Sequence, residues 1–212
     1  MITHVLSAAS ASGLFTKVHV STDSESIRDV ATQFGFEPDF PRPAELADDH
    51  APIMPVLKYV VEHYAALGHE FQEVALIMAC APLITSQDLI GAAEFFAKNG
   101  SKMPVLAVAE YPCPIEWAFR QELDSRLVPV QPGKFSTRSQ DLLPAYYDAG
   151  QFCFFTAKHI LESQGSGSDQ GFLGYPIDRH KSVDIDTFDD WKFAEHIFNG
   201  VNSSLRHKLD KI

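Results

Sequence analysis

Short apolar runs alternate with segments of helical period along almost the whole chain. Glu73-Val74-Ala75-Leu76-Ile77-Met78 is nearly all apolar, the pattern of a strand buried on both faces. Further strands are predicted over 17–21, 36–40, 105–109, 151–156 and 171–177. Helical spacing with start and stop signals predicts helices over 25–34, 52–67, 87–98, 158–163 and 187–199. Ser24 or Asp23 can cap the first of these, prolines open the second, and Gly35, Gly68 and Asn99-Gly100 end helices. Segment 110–147 breaks the rhythm: it is irregular and rich in Pro, Arg and Gln, with short alternating pieces such as Arg126-Leu127-Val128-Pro129-Val130. It is read as an insertion carrying a small hairpin and as a candidate dimer contact. Gly165-Ser166-Gly167-Ser168 is read as a flexible loop. Strands spaced by helices in this way predict an α/β fold of Rossmann-like type, a mostly parallel sheet with helices on both faces, in one domain over 1–212.

In such sheets ligands bind beyond the carboxyl ends of the strands. The candidate polar residues fall there: Ser21-Thr22-Asp23, Arg42, the segment around Cys80, and Asp184 with Asp186. Val183-Asp184-Ile185-Asp186-Thr187 is the most telling stretch. Side chains at i and i+2 of an extended segment point the same way, so Asp184 and Asp186 can converge on one hard cation, most naturally Mg²⁺. Thr187 with Asp190 has the spacing of a capping box. The other reading of such a pair is a polar strand end followed by a cap. His180 and Lys181, just before the pair, either meet substrate phosphate or carboxylate or form a solvated turn.

Composition narrows the classes. A chain of 212 residues, 45% hydrophobic and 21% charged, is that of a globular protein. No apolar run is long enough to span a membrane, and no signal segment is present, so a cytoplasmic protein is expected. The formal net charge of -11, without a dense basic patch, argues against nucleic acid or an anionic membrane as partner. Cys80, Cys113 and Cys153 form no paired spacing and suggest neither zinc nor disulfides.

Five segments, taken in order, resemble the cytidylyltransferases that activate nonulosonic (sialic-type) acids, most closely the pseudaminic acid branch. They are Val20-Ser21-Thr22-Asp23, Arg42-Pro43-Ala44-Glu45-Leu46-Ala47-Asp48-Asp49, Ala79-Cys80-Ala81-Pro82-Leu83, Tyr147-Asp148-Ala149-Gly150-Gln151-Phe152, and Val183 to Thr187 with Asp190-Trp191. The fourth favours the pseudaminic branch and argues against an enzyme for the eight-carbon acid Kdo. The resemblance implies transfer of CMP from CTP to a nine-carbon 2-keto sugar acid, with release of pyrophosphate. It implies Asp184 and Asp186 as Mg²⁺ ligands and catalytic residues, and Arg42 as a nucleotide contact. Asp148 and Gln151 become sugar contacts, with an Asp-Ala-Gly turn as the alternative for that segment. A homodimer is expected from the irregular 110–147 segment. Cys80, where relatives often carry threonine, is read as a packing residue.

Two departures from the family pattern are visible. The family opens with a central strand and a Gly-rich basic loop of the form Ala-Arg-Gly-Gly-Ser-Lys, whereas this sequence begins at Met1-Ile2-Thr3-His4, which matches the helix after that loop. Ile53 stands where sialic acid enzymes carry small hydroxyl residues near the cytosine. The expectations are a gap in the sheet with unpaired backbone groups beside it and a weaker cationic grip on triphosphate. A coding start assigned too late, a remnant, or a second polypeptide supplying the missing unit would each account for this. The alternative function is therefore an N-terminally truncated, inactive homologue that binds a sugar or a partner.

Overall fold

The computed structural model describes residues 1–48, 50–164 and 171–209, with side chains through Val201; the loop expected at 165–168 lies outside the described residues. Six α-helices and six strands are present among them: α1 Ile2–Ser12, α2 Glu25–Gln33, α3 Ile53–Ala66, β1 Glu73–Ile77, α4 Ser86–Lys98, β2 Val105–Glu110, β3 Phe119–Gln121, β4 Leu127–Pro129, β5 Tyr146–Thr156, α5 Ala157–Glu162, β6 Leu173–Pro176 and α6 Phe188–Leu209. The main sheet has the order β1-β5-β2-β6, and β3 and β4 form a separate antiparallel hairpin within the predicted insertion.

The sheet is mixed, which corrects the mostly parallel expectation. β5 lies antiparallel between β1 and β2, and only β2 and β6 are parallel neighbours. The cause is the connection before β5. A parallel neighbour needs a long crossover, usually a helix, whereas an antiparallel neighbour can return directly. Between β2 and β5 the chain has only the hairpin and two 3-10 turns, so β5 comes back beside β2.

Helices cover both faces as expected. Val5, Ala8 and Ala9 of α1 and Leu89, Ala92 and Phe96 of α4 pack on Val105, Ala107, Phe152 and Phe154. On the other face, Met54, Leu57 and Val61 of α3 and Ile160 of α5 pack on Cys153 and Phe155. Alternate residues of β5 thus feed opposite cores, as the pleat requires.

Segments 17–21 and 36–40 do not form strands, contrary to the prediction. Their apolar residues are still used, since Val18, Val20 and Phe36 pack with Leu6 of α1 and Ala31 of α2. What fails is pairing. β1 ends the sheet, with no strand among the described residues on its outer edge. Strand character is conferred by a neighbour's donors and acceptors as well as by side chains.

Candidate active site

β1, β2 and β6 run in one direction, and the functional candidates collect where they end. The 178–186 segment follows β6, Cys80 follows β1, and Asp148 lies opposite Val108 near the end of β2. This is the ligand position expected for an α/β sheet.

Residues 182–186 are not in a strand, as the sequence had suggested, yet they alternate as one would. Val183 is buried with Leu83 and Ala194, and Ile185 packs against the same cluster beside Ile197 and Phe198 of α6. Asp184 and Asp186 therefore both face solvent. Thr187 then starts α6 with the predicted capping box. Its N–H and hydroxyl donate to Asp190 Oδ2 at 2.8 and 2.7 Å, and Asp190 N–H donates back to Thr187 Oγ1 at 3.3 Å. These bonds hold the Asp190 carboxyl below the usual range. α6 continues to Leu209, ten residues beyond the predicted end at 199.

β5 contributes through a bulge. Leu106 pairs with Cys153 and Val108 with Asp148, so one residue on β2 faces four on β5, three more than a regular ladder allows. On the other side β1 stays in register up to Phe152. Bulges re-aim side chains and recur beside active sites. Here Asp148 Oδ1 accepts the Gly150 N–H at 2.9 Å, and Gly150 adopts φ +62°. A Cβ on Gly150 would lie 3.5 Å from both Cγ and Oδ1 of Asp184. The bulge thus runs directly against the first aspartate. The Asp-Ala-Gly segment is a kink inside a continuous strand and not a hairpin turn.

Electrostatics agrees with this grouping. Burial raises the Asp184 pKa, with Asp186, then Asp148 and Asp190, adding like-charge repulsion. The Cys80 thiol is raised first by burial and next by Asp184, which places it beside the pair as a protonated neighbour. Three carboxylates, Asp148, Asp184 and Asp186, therefore share one negative region without a cation among them. No group of three or more acidic, histidine or cysteine ligands close enough to hold a metal alone exists among the described residues. Two solvent-facing carboxylates that repel each other fit Mg²⁺, which takes one or two protein oxygens and completes its shell with water and phosphate.

The remaining predicted residues fall elsewhere or act differently. Gln151 is only 1% exposed. Its Nε2 donates to the carbonyls of Ala149 at 2.8 Å and Val183 at 3.4 Å, and its Oε1 is buried without a partner. It lies beneath the site, out of reach of a substrate on the surface. Arg42 is folded onto the 21–22 segment: Nε donates to Ser21 Oγ at 3.1 Å, a terminal N–H to Ser21 O at 2.6 Å, and its backbone N–H to Thr22 O at 2.9 Å. Among the described residues it makes no hydrogen bond or ion pair with the aspartates. His180 is exposed in a 3-10 turn, the solvated alternative. Lys181 is engaged by Asp88, a residue the sequence did not single out as functional. The one signal near it in the sequence is the Thr85-x-x-Asp88 spacing ahead of an apolar periodic run, which is that of a helix cap.

A family model described as Cytidylyltransferase matches residues 1–111. The chain is 32% identical over 198 residues to the pseudaminic acid cytidylyltransferase of Campylobacter jejuni subsp. jejuni serotype O:2, covering 93% of this chain and 84% of that protein. It is 28% identical over 217 residues to the N-acylneuraminate cytidylyltransferase of Streptococcus agalactiae serotype V, covering 100% of this chain and 50% of the relative. Two solved structures share the fold. A CMP:2-keto-3-deoxy-manno-octonic acid synthetase complexed with CTP superposes with a TM-score of 0.57 at 12% identity, over 83% of this chain and 78% of the other. A 4-diphosphocytidyl-2C-methyl-D-erythritol synthase gives 0.60 at 11% identity, over 93% and 87%.

Proposed function

The chain belongs to the cytidylyltransferase family, and from that premise we propose that it transfers CMP from CTP to a nonulosonic acid of the pseudaminic or sialic type. The observation that carries the reading is the outward carboxylate pair Asp184 and Asp186, set over the buried Val183 and Ile185 and flanked by Asp148. In the reaction, the anomeric hydroxyl oxygen of the sugar acid bonds to the α-phosphorus of CTP. The bond from that phosphorus to the bridging oxygen breaks in line, pyrophosphate leaves, and the hydroxyl proton passes to solvent. Asp184 and Asp186 would hold Mg²⁺, which when bound would supply charge neutralisation to the phosphates.

The chain's own residues do the rest. Asp184 and Asp186 would set where that cation sits relative to the sheet. Asp148, exposed on the bulge beside them, presents an acceptor to sugar hydroxyl or amide groups. Arg42 is the candidate nucleotide contact, through the face of the guanidinium not directed at Ser21. The pseudaminic type is preferred because the Tyr147 to Phe152 segment matches that branch. The insertion exposes Phe119, Leu123, Leu127, Phe135 and Leu143, an apolar surface suited to a homodimer contact. No helix among the described residues is long and apolar enough to cross a membrane.

A second reading, an inactive homologue that binds a sugar or a partner, draws on a different observation. Lys181 and Arg42 are already engaged, by Asp88 and Ser21 respectively. Pyrophosphate release from CTP with Mg²⁺, with pseudaminic or N-acetylneuraminic acid offered in turn, tests both. Release that is lost in Asp184→Asn supports transfer. A folded protein that binds the sugar acid but releases nothing supports the second reading.

A further inference from the structure

Each of the three residues before Asp184 is tied to a distant element by a side-chain hydrogen bond. The Val183 carbonyl accepts from Gln151 of β5 at 3.4 Å. Ser182 Oγ lies 2.9 Å from the Tyr147 hydroxyl, also on β5. Lys181 Nζ donates to both carboxylate oxygens of Asp88, at 2.8 and 2.7 Å, across 93 residues of sequence. The last bond is the strongest in kind, a charge-assisted pair whose side chains are 15% and 14% exposed.

Asp88 is itself fixed. Its Oδ2 also accepts the Thr85 N–H at 2.8 Å and the Thr85 hydroxyl at 2.6 Å, in the capping box of α4. The carboxylate therefore joins the start of α4 to the 3-10 turn Arg179–Lys181 that leads into the acidic pair. α4 is anchored in the core by Leu89, Ala92 and Phe96, so the turn is referred to the most buried part of the molecule.

A lysine three residues from a phosphate-handling pair would ordinarily be assigned to phosphate. Here its ammonium is closed against the Asp88 carboxylate and forms no ion pair with either aspartate among the described residues. We infer that Lys181 and Asp88 form a positioning pair that holds the segment carrying Asp184 and Asp186 in its metal-binding arrangement, and that Lys181 is not a substrate contact. The inference rests on the proposed role of the two aspartates. Outer-shell partners of this kind matter because metal ligands held loosely lose affinity. Removing one member of a largely buried pair leaves the other's charge uncompensated.

The test uses the full chain and Mn²⁺ as the probe, with binding followed by calorimetry and amide hydrogen exchange of the 182–187 peptide followed by mass spectrometry. Lys181→Met and Asp88→Asn are each expected to weaken Mn²⁺ binding about 10–100-fold and to speed exchange of that peptide. In Mn²⁺ affinity the double variant should resemble either single one, because both remove the same contact, while leaving no uncompensated charge. Lys181→Arg, which keeps the charge pair, should recover most of the affinity, and it and the neutral double variant serve if a single variant fails to fold.

The inference is overturned if Lys181→Met leaves Mn²⁺ affinity and exchange unchanged while raising the KM for CTP, with Asp88→Asn silent. Lys181 would then be a phosphate contact. Asp184→Asn separates the two layers of the argument. If it binds Mn²⁺ like the parent chain, the metal role of the aspartates falls, and the exchange data alone decide whether the pair holds the segment.

Discussion

Gly150 is the position where backbone geometry and site chemistry meet most directly, and Gly150→Ala separates them. Its φ of +62° lies in the left-handed region, which an L-residue enters at a cost of about 1–2 kcal/mol. The added methyl would sit 3.5 Å from Asp184 Cγ and Oδ1, an ordinary contact and not a collision. The expected destabilisation is therefore conformational. At about 2–4 °C per kcal/mol for a chain of this length, the melting temperature should fall by about 2–8 °C. The methyl also removes water from one face of the Asp184 carboxylate, whose proton affinity burial has already raised. The Mg²⁺ concentration for half-maximal turnover should consequently rise. Gly150→Asn provides the control, since asparagine enters the left-handed region more readily and should cost less stability than alanine. Calorimetric melts of the three proteins at neutral pH give the first number, and pyrophosphate release titrated against Mg²⁺ gives the second. An alanine variant that melts with the parent chain, or no better an asparagine variant than an alanine one, would refute the claim that the bulge imposes this conformation.

Other expectations follow from the same structure. Asp184→Asn should abolish pyrophosphate release while leaving the melting temperature at neutral pH unchanged or higher, because it relieves repulsion from Asp186 and Asp148; a large drop in melting temperature would contradict this. His19 is held neutral by burial, its pKa lowered from 6.5 to about 4 against the opposing pull of Asp39. The unfolded chain takes up a proton near 6.5 that the folded chain refuses until about 4, so this contribution to stability is lost as pH falls through that window. The ceiling is about 3 kcal/mol, reduced by solvent screening of the partly exposed ring. Urea melts from pH 7 to 4 should show a shallower slope in His19→Gln, and an equal slope would count against the assignment. Leu127→Glu in the insertion should convert a dimer to monomers in sedimentation velocity, and a parent chain that sediments as a monomer would remove the proposed contact.

How much of this could be read in the chain depended on whether the determining contacts were local. Asp184 and Asp186 share a side because residues two apart do so in any extended segment, and Val183 and Ile185 confirm it by burying the other side. The Thr187 to Asp190 box and the helix starts are likewise set within one turn. The direction of β5 follows from the lack of a helix across 110–147, which that segment's irregular composition already shows; the side chains of β5 itself carry no sign of which way it runs. Segments 17–21 and 36–40 have strand-like side chains but no ladder, a property of what lies beside them. The resemblance implies Gln151 as a sugar contact, but it stands in the buried run 151–155 of β5, next to the bulge, and its amide bonds to carbonyls beneath the site. The Lys181 to Asp88 pair spans 93 positions and left no signal beyond the cap spacing at Thr85.

The β5 bulge also acts as a parity switch. Tyr147 and Ala149 share a face with Phe152 and Phe154, although unbroken alternation from 147 would send the two phenylalanines to the other side. The odd number of inserted residues reverses the phase, so the phenylalanines reach the α1 and α4 core while Cys153 and Phe155 reach that of α3 and α5. Deleting one residue here would change more than a loop length. It would exchange the occupants of two hydrophobic interiors at once. The segment can therefore vary in residue identity far more readily than in residue count, and any change in length must come in twos.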